Sequence, residues 1–239
     1  MSDVVGAPES GVGEAVRDSS ADERADAVAS LADERADDVR VEESTVLAHG
    51  AVWDMRRDRF AFAGTDLERE YLDHTGAVSV LALDDADRVL LIKQYRHSTG
   101  HRLWEIPAGL MDVPGESGLV GARRELAEEV DLQAERWHLL LDLFLAPGSS
   151  TESMRIFLAR GLSPVEHDYV RSDEEAELHP EWVPLDDVVD AVLDGRVQNT
   201  VTANAVLAAA AARARGWRTL RDPDLPWKGR DAVRGEKSH

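Results

Sequence analysis

Residues 109–132 read GLMDVPGESGLVGARRELAEEVDL, and within them Arg124-Glu125-Leu126-Ala127-Glu128-Glu129 decides how the chain is read. On a helix, Glu125, Glu128 and Glu129 fall at i, i+3 and i+4, which places their carboxylates on one face. Like charges that close repel unless something positive sits among them. A hard divalent cation is the obvious candidate, because Mg²⁺ and Mn²⁺ prefer carboxylate oxygens. The alternative is a solvated acidic face, in a chain that carries 47 Asp and Glu. The flanks favour the cation. A glycine-rich loop precedes the run, and Leu119, Val120, Leu126 and Val130 give the helix apolar positions to bury.

Read as a whole, residues 109–132 resemble the Nudix box, G-x5-E-x7-R-E-U-x-E-E-x-G-U, where U is a bulky aliphatic. Gly109 takes the place of the opening glycine and Glu116 that of the first glutamate. Arg124, Glu125, Leu126, Glu128, Glu129 and Leu132 fill the later places. The chain departs from the pattern twice. Six residues rather than five separate Gly109 from Glu116, so the loop carries one extra residue near Val113-Pro114-Gly115. Asp131 stands where the pattern has glycine, which a helix ending there accommodates, since Asp can adopt left-handed geometry. The register from Glu116 to Leu132 is intact. Gly115, Gly118 and Gly121 do not make G-x-G-x-x-G, and no G-x-x-x-x-G-K-[ST] occurs, so nucleotide binding by such loops is unsupported.

Composition is consistent with a soluble metal enzyme without identifying one. A chain of 239 residues can bury one good core and still leave tails. Its net charge of −20 argues against nonspecific binding to nucleic acid or to anionic membranes. An anionic substrate then needs a metal or a local basic pocket. The absence of cysteine excludes disulfides and thiolate catalysis. No basic segment followed by an apolar run opens the chain, and the Ala-rich stretch at 205–212 is too short to span a bilayer, so a cytoplasmic protein is expected.

Residues 1–43 are expected to form an acidic disordered tail. They are small, polar and acidic, and ADERAD at 21–26 recurs at 32–37, where two copies cannot build a repeat domain. Beyond them the pattern is mixed α/β. Ala77–Leu83 and Val89–Tyr95 read as strands joined by a turn at Asp84–Asp87. Further strands are expected at Trp137–Phe144 and Met154–Ala159, and helices at Leu185–Leu193 and about Val201–Arg215. This order fits an α/β fold, the Nudix α/β/α sandwich in which a mixed sheet lies between helices. The resemblance covers roughly residues 44–215, divided into a small β region at 44–75 and a Nudix domain at 76–215. In ADP-ribose pyrophosphatases a similar β region is exchanged between two subunits, so a homodimer is implied. Residues 216–239 read as a C-terminal tail from which Trp227 can pack back on the domain.

The box alone does not give the substrate. The chain also looks like the ADP-ribose pyrophosphatase subgroup, which is marked by a proline fifteen residues beyond the box, the place that Pro147 holds relative to Leu132. Gly148-Ser149-Ser150-Thr151-Glu152 after it, Gln94-Tyr95-Arg96-His97, and Trp104-Glu105-Ile106-Pro107-Ala108-Gly109 match that subgroup as well. The resemblance implies substrate contacts from Gly148 and Glu152. Arg96 is the best candidate to meet a diphosphate, because a guanidinium grips phosphate oxygens bidentately, with a surface salt bridge as the alternative. Trp53 either stacks on adenine, as an aromatic does in related enzymes, or is a core tryptophan. His97 and His101 flank a loop, so a structural role, or a supporting one behind the ligands, is expected for both.

The resemblance implies Glu125 and Glu129 as the main side-chain metal ligands, with the carbonyl of Ala108. Glu128 is implied as a further ligand or as a support for the attacking water. Arg124 is implied to hold the carboxylates in place, and Glu116 to stand behind the ligands as their partner. Metal ions neutralise diphosphate oxygens and lower the pKa of water. In this subgroup the general base sits on a later acidic loop, which Ser172-Asp173-Glu174-Glu175-Ala176-Glu177 resembles. Glu175 is the first choice and Glu174 the second. The expected activity is Mg²⁺- or Mn²⁺-dependent hydrolysis of ADP-ribose to AMP and ribose 5-phosphate. The alternatives are a Nudix diphosphatase for another nucleoside-diphosphate sugar, or an ADP-ribose sensor that does not cleave. The intact glutamate set and the absence of a basic DNA-binding extension speak against the sensor. No nucleic-acid or membrane partner is expected.

Overall fold

The computed structural model describes residues 31–167, 169 and 178–235, and the chain divides into two units, Met1–Asp38 and Val39–His239. Of the first unit only residues 31–38 are described, an exposed stretch with a turn at Asp37-Asp38. All that follows concerns the second.

Three antiparallel strands open it, β1 (Val41–His49), β2 (Asp54–Phe62) and β3 (Thr65–Asp73), paired in the order β1-β2-β3. The β region starts at Val41 rather than at residue 44. Glu42 and Glu43 disguise that start as acidic tail, but across the ladder they meet Arg59, with N–O separations of 3.3 and 3.5 Å. β1 is exposed along its length except at Val46.

Next come β4 (Ala77–Ala82), β5 (Arg88–Arg96), β6 (His101–Glu105), β7 (Ala108–Leu110), α1 (Gly118–Val130), β8 (Leu132–Phe144) and β9 (Ser153–Pro164). After them come β10 (His179–Pro184), α2 (Leu185–Leu193), α3 (Thr200–Ala214) and α4 (Lys228–Gly235). β4 and β5 are joined by the expected turn yet belong to different sheets. β4 lies in the mixed sheet β7-β4-β9-β8, where it runs parallel to β9, whereas β5 pairs with β10 and β6. The turn is closed by a bridge from Leu83, just past β4, to Val89 and by the Asp84 amide donating to the Arg88 carbonyl.

A strand covered on both faces must be apolar on both. β4 and β9 satisfy this by alternation. Val78, Val80, Ala82, Phe157 and Ala159 pack with Leu119, Ala122, Leu126 and Val130 of α1. Leu81, Ile156 and Leu158 pack with Leu185 and Val188 of α2 and Ala205, Val206 and Ala209 of α3. The result is the α/β/α sandwich.

Two strands are longer than their apolar runs. β8 begins at Leu132, directly after the helix, because Asp131 at φ 56° and ψ 34° turns the chain without a loop. Its polar start pairs with the end of β9, from Leu132 opposite Pro164 to Arg136 opposite Arg160. The C-terminal segment is attached rather than free. Arg221 exchanges backbone hydrogen bonds with Leu139 at 3.0 and 3.1 Å, Trp227 is buried, and α4 follows. Arg155, a cation inside the apolar run Met154–Ala159 of β9, holds this segment. It donates to Asp142 at 2.7 and 3.0 Å and to the carbonyls of Leu225 and Pro226, and its guanidinium lies 5.0 Å from the Trp227 ring. Among the described residues no helix is long and apolar enough to cross a membrane.

Candidate active site

The loop between β7 and α1 absorbs its extra residue in a turn. The Glu116 amide donates to Val113 O at 3.2 Å, and Gly115 between them has φ +79°. With Pro114 ahead of it this is the residue order of a type II turn, whose second central position needs positive φ. Ser117 then caps α1, its hydroxyl accepting from the Val120 amide at 3.3 Å. At the other end Asp131 adopts the left-handed conformation that the glycine of the box pattern would supply, and its amide reaches the Ala127 carbonyl. Both departures from the pattern are therefore accommodated locally, and the register of α1 is kept.

That register turns Leu119, Leu126 and Val130 into the core and brings Glu125 and Glu129 against β7. Glu125 and Glu129 are only 8% and 5% exposed. Glu129 Oε2 accepts from the Ala108 amide at 3.0 Å. Glu125 lies so near Gly109 that a Cβ there would fall 1.9 Å from its Oε1, so any other residue would displace that carboxylate. One guanidinium gathers the cluster. Arg124 donates through Nε and NH2 to Glu116 at 3.0 and 3.1 Å, and through NH1 to Glu125 at 2.6 Å and Glu128 at 3.1 Å. These contacts, the Glu116 hydrogen bonds foremost, push the Arg124 pKa above its ordinary value. Among the described residues no three acidic or histidine side chains close on a common point in ready metal geometry. Glu125 and Glu128 instead face Arg124, which relieves the repulsion that the sequence spacing implies. The donor set still suits a hard cation. Two buried carboxylates, Glu125 and Glu129, lie against the Ala108-Gly109 backbone, where the missing side chain of Gly109 is what admits the Glu125 carboxylate.

The other expected contacts are dispersed. Arg96, at the end of β5, donates to Glu105 through Nε at 2.9 Å and NH2 at 2.7 Å. Glu105 is 3% exposed and leads through Ile106 and Pro107 into Ala108, so Arg96 is tethered to the strand connection beside the carboxylate cluster. Trp53 lies in the β1–β2 turn, where its carbonyl accepts from the Gly50 amide at 3.0 Å. It is 44% exposed, which removes the core-tryptophan alternative within this chain. Gly148 is exposed with open space where a side chain would go. Its loop is tied to the end of β3, since Leu72 N donates to Ser149 O and Thr151 N to Leu72 O, both at 2.9 Å. Glu152 acts electrostatically on His74. His97 and His101 flank the β5–β6 turn, one at 3.1 Å from the Tyr95 hydroxyl and the other at 2.6 Å from the Thr99 carbonyl. Glu174, Glu175 and Glu177 lie outside the described residues.

Three participants were not singled out from the sequence. Arg155 could have been flagged as a charge inside the apolar run Met154–Ala159, where a buried ion demands a partner, whereas Glu105 closes a mixed strand and entered only within the Trp104–Gly109 match. His74 had no such signal. It is buried, its Nδ1 accepts from the Gly76 amide at 3.0 Å, and burial lowers its pKa.

Comparison with known proteins gives this geometry its context. The NUDIX domain family matches residues 73–203. The chain is 42% identical over 185 residues to an ADP-ribose pyrophosphatase of Mycobacterium tuberculosis (strain ATCC 25618 / H37Rv), covering 77% of this chain and 88% of that protein. It is 33% identical to an ADP-ribose pyrophosphatase of Bacillus subtilis (strain 168), over 60% of this chain and 76% of that protein. A crystal structure of an ADP compounds hydrolase shares the fold with a TM-score of 0.64 at 24% identity, covering 77% of this chain and 99% of that one. A family match across more than half of the chain, laid over a glutamate helix built against Gly109, places this protein in the Nudix family.

Proposed function

We propose that the chain hydrolyses the diphosphate of ADP-ribose to AMP and ribose 5-phosphate with Mg²⁺ or Mn²⁺. The observation that carries this reading is the pair of buried carboxylates, Glu125 and Glu129, packed against Gly109 and Ala108. Nudix hydrolases generally depend on a divalent metal. Glu125, Glu129 and the Ala108 carbonyl would hold it, with Glu128 as a further ligand, in competition with Arg124 for Glu125 and Glu128. When bound, the metal neutralises diphosphate oxygens and makes water more acidic. The chain's own residues do the rest. Arg124 fixes the carboxylates, Glu116 fixes Arg124, Arg96 pairs with the diphosphate, and Trp53 stacks on the adenine. Gly148 lets the substrate approach its loop closely, and Glu152 contacts the substrate from the end of that loop. Glu175 takes the proton of the attacking water. The preference for ADP-ribose is supported by the two bacterial pyrophosphatases to which the chain is similar.

A homodimer completes the reading. Val41, Leu47, Val52, Trp53 and Phe62 of the three-stranded region are all exposed, which is what an exchanged sheet awaiting a second copy presents. Size-exclusion chromatography with light scattering should give twice the mass of the 26.3 kDa chain.

The deciding experiment is hydrolysis of a panel of nucleoside diphosphate compounds, with and without Mg²⁺, with the products identified. ADP-ribose should be cleaved fastest, to AMP and ribose 5-phosphate, and only with metal. Faster cleavage of another nucleoside-diphosphate sugar would reassign the substrate. The base is tested by Glu174→Gln, Glu175→Gln and Glu177→Gln side by side. Glu175→Gln should lose about 10²-fold or more in turnover with metal affinity kept. If it is the mildest of the three, the base lies elsewhere.

A further inference from the structure

We propose that Arg230, on α4 and outside the span that matches the family, is a positioning residue for the carboxylate cluster. It would act through the backbone of Met111. The proposal rests on the reading of Glu125 and Glu129 as metal ligands.

Arg230 donates through Nε to the Thr75 carbonyl at 2.9 Å and through NH2 to the Met111 carbonyl at 3.2 Å. The Met111 amide donates in turn to the Gly76 carbonyl at 3.0 Å. One guanidinium thus pins the entry to β4 and the exit from β7 together. Gly76 makes this possible. Its φ is +86°, and a Cβ there would lie 3.0 Å from Arg230 Nε. The side chain is not a loose surface group, because its guanidinium lies 5.7 Å from the ring of buried Trp227, which also carries Arg155.

From Met111 the contact passes to the cluster through space that Gly121 leaves open on α1. A Cβ on Gly121 would meet Met111 Sδ at 3.1 Å and Glu116 Oε2 at 3.0 Å, so both side chains converge on that glycine. Glu116 grips Arg124, and Arg124 holds Glu125 and Glu128. The loop from Met111 to Glu116 is one residue longer than the box pattern. Added loop residues bring conformational freedom that something must restrain. The α4 guanidinium supplies the restraint at the end of that loop opposite to the Ser117 cap.

The test uses the full-length chain with Arg230→Ala, Arg230→Lys and, as a stability control, Val206→Ala. Val206 is buried on the other face of the sheet, among α2 and α3. Four quantities are measured: Mn²⁺ binding by calorimetric titration without substrate, kcat and KM for ADP-ribose, and melting temperature. Arg230→Ala should weaken Mn²⁺ binding and lower kcat, each about 10-fold, the range for losing a partner behind metal ligands. KM should change little. Arg230→Lys, which keeps one donor, should fall between, and millimolar guanidinium should restore part of the Ala variant's kcat. Val206→Ala should lower the melting temperature and leave Mn²⁺ binding intact. Wild-type Mn²⁺ affinity in Arg230→Ala, or an equal loss in Val206→Ala, overturns the proposal. If the wild type binds Mn²⁺ but does not cleave ADP-ribose, the substrate reading fails, while a binding loss confined to Arg230→Ala still upholds the positioning role.

Discussion

The carboxylate face of α1 and the β1-β2-β3 sheet are both crowded with arginine and glutamate, yet they use them differently. On the sheet, Arg57 pairs with Glu70 and Arg59 with Glu42 and Glu43 in solvent, and both partners of each pair are exposed. On α1, Arg124 serves three glutamates, and Glu116 and Glu125 retain only 6% and 10% of their side-chain exposure. Water screens the first set, so each pair contributes little. The second set is partly desolvated, so removing one member costs more than it would in water. Similar sequence composition therefore conceals a difference in consequence, and burial decides it.

The strongest way to break this comparison is Glu129→Gln. The amide oxygen can still accept from the Ala108 N–H, so the fold should survive, as circular dichroism would report. A metal supplies several kcal/mol of charge stabilisation. At 1.36 kcal/mol per decade, weakening its hold should cost roughly 10³-fold in Mg²⁺-dependent turnover. Near-normal rates at saturating metal would remove Glu129 from the ligand set.

Gly109→Ala sharpens the same point without touching a charge. The new methyl would overlap Glu125, so that carboxylate must move. Turnover should fall about 10- to 100-fold, the range for disturbing the surroundings of a metal site. An unchanged rate would mean that the position of Glu125 is not critical.

His74 sits between the two regions, directly after β3, and faces Glu152, Asp73 and Arg234. Burial lowers its folded pKa below the ordinary 6.5, so the unfolded chain binds the proton more readily. Its contribution to stability is intact above 6.5 and is lost as the pH falls from there toward the lower folded value. The melting temperature should decline over that interval. The decline should be shallower in His74→Asn, which keeps an acceptor for the Gly76 amide and cannot titrate. An identical pH profile in the variant would show that other groups set it.

The smallest effect is expected from Arg57→Ala on the sheet. Exposed pairs are weak, so the melting temperature should shift by no more than about 2 °C. A shift as large as that of a core variant would mean that this face is covered in the assembled protein.

How much of this was legible in the sequence depended on whether a signal was local. The α1 register, the extra loop residue near Val113-Pro114-Gly115 and the left-handed Asp131 are legible because each depends on residues within one or two turns, whereas the turn that absorbs the extra residue is seen only in the structure. The apolar runs of β4 and β5 located the strands but not their sheets, since strand partnership is non-local. The first part of β8 and the last part of β9 escaped notice because their polar residues pair with one another at the sheet margin. Residues 216–239 read as a tail because the anchor of their described part lies far away in sequence, at Asp142 and Arg155. The pairing of Arg96 with Glu105 was legible only as one of two alternatives, because a single arginine does not announce its partner.

The parallel pairing of β4 with β9 has a kinetic consequence. It joins Ala77 to Met154, whereas β7 meets β4 across a shorter span, Leu110 to Ala77. The helix that carries Glu125, Glu128 and Glu129 is strung between those two closures. Longer loops cost more entropy to close, and sheets with distant partners form slowly. During refolding, amides of β7 and of the local β8–β9 hairpin should therefore become protected from hydrogen exchange before those that join β9 to β4. The helix that carries the proposed metal ligands would then wait for the sheet to shut behind it. Pulse labelling that found the amides between β4 and β9 protected first would reverse that order.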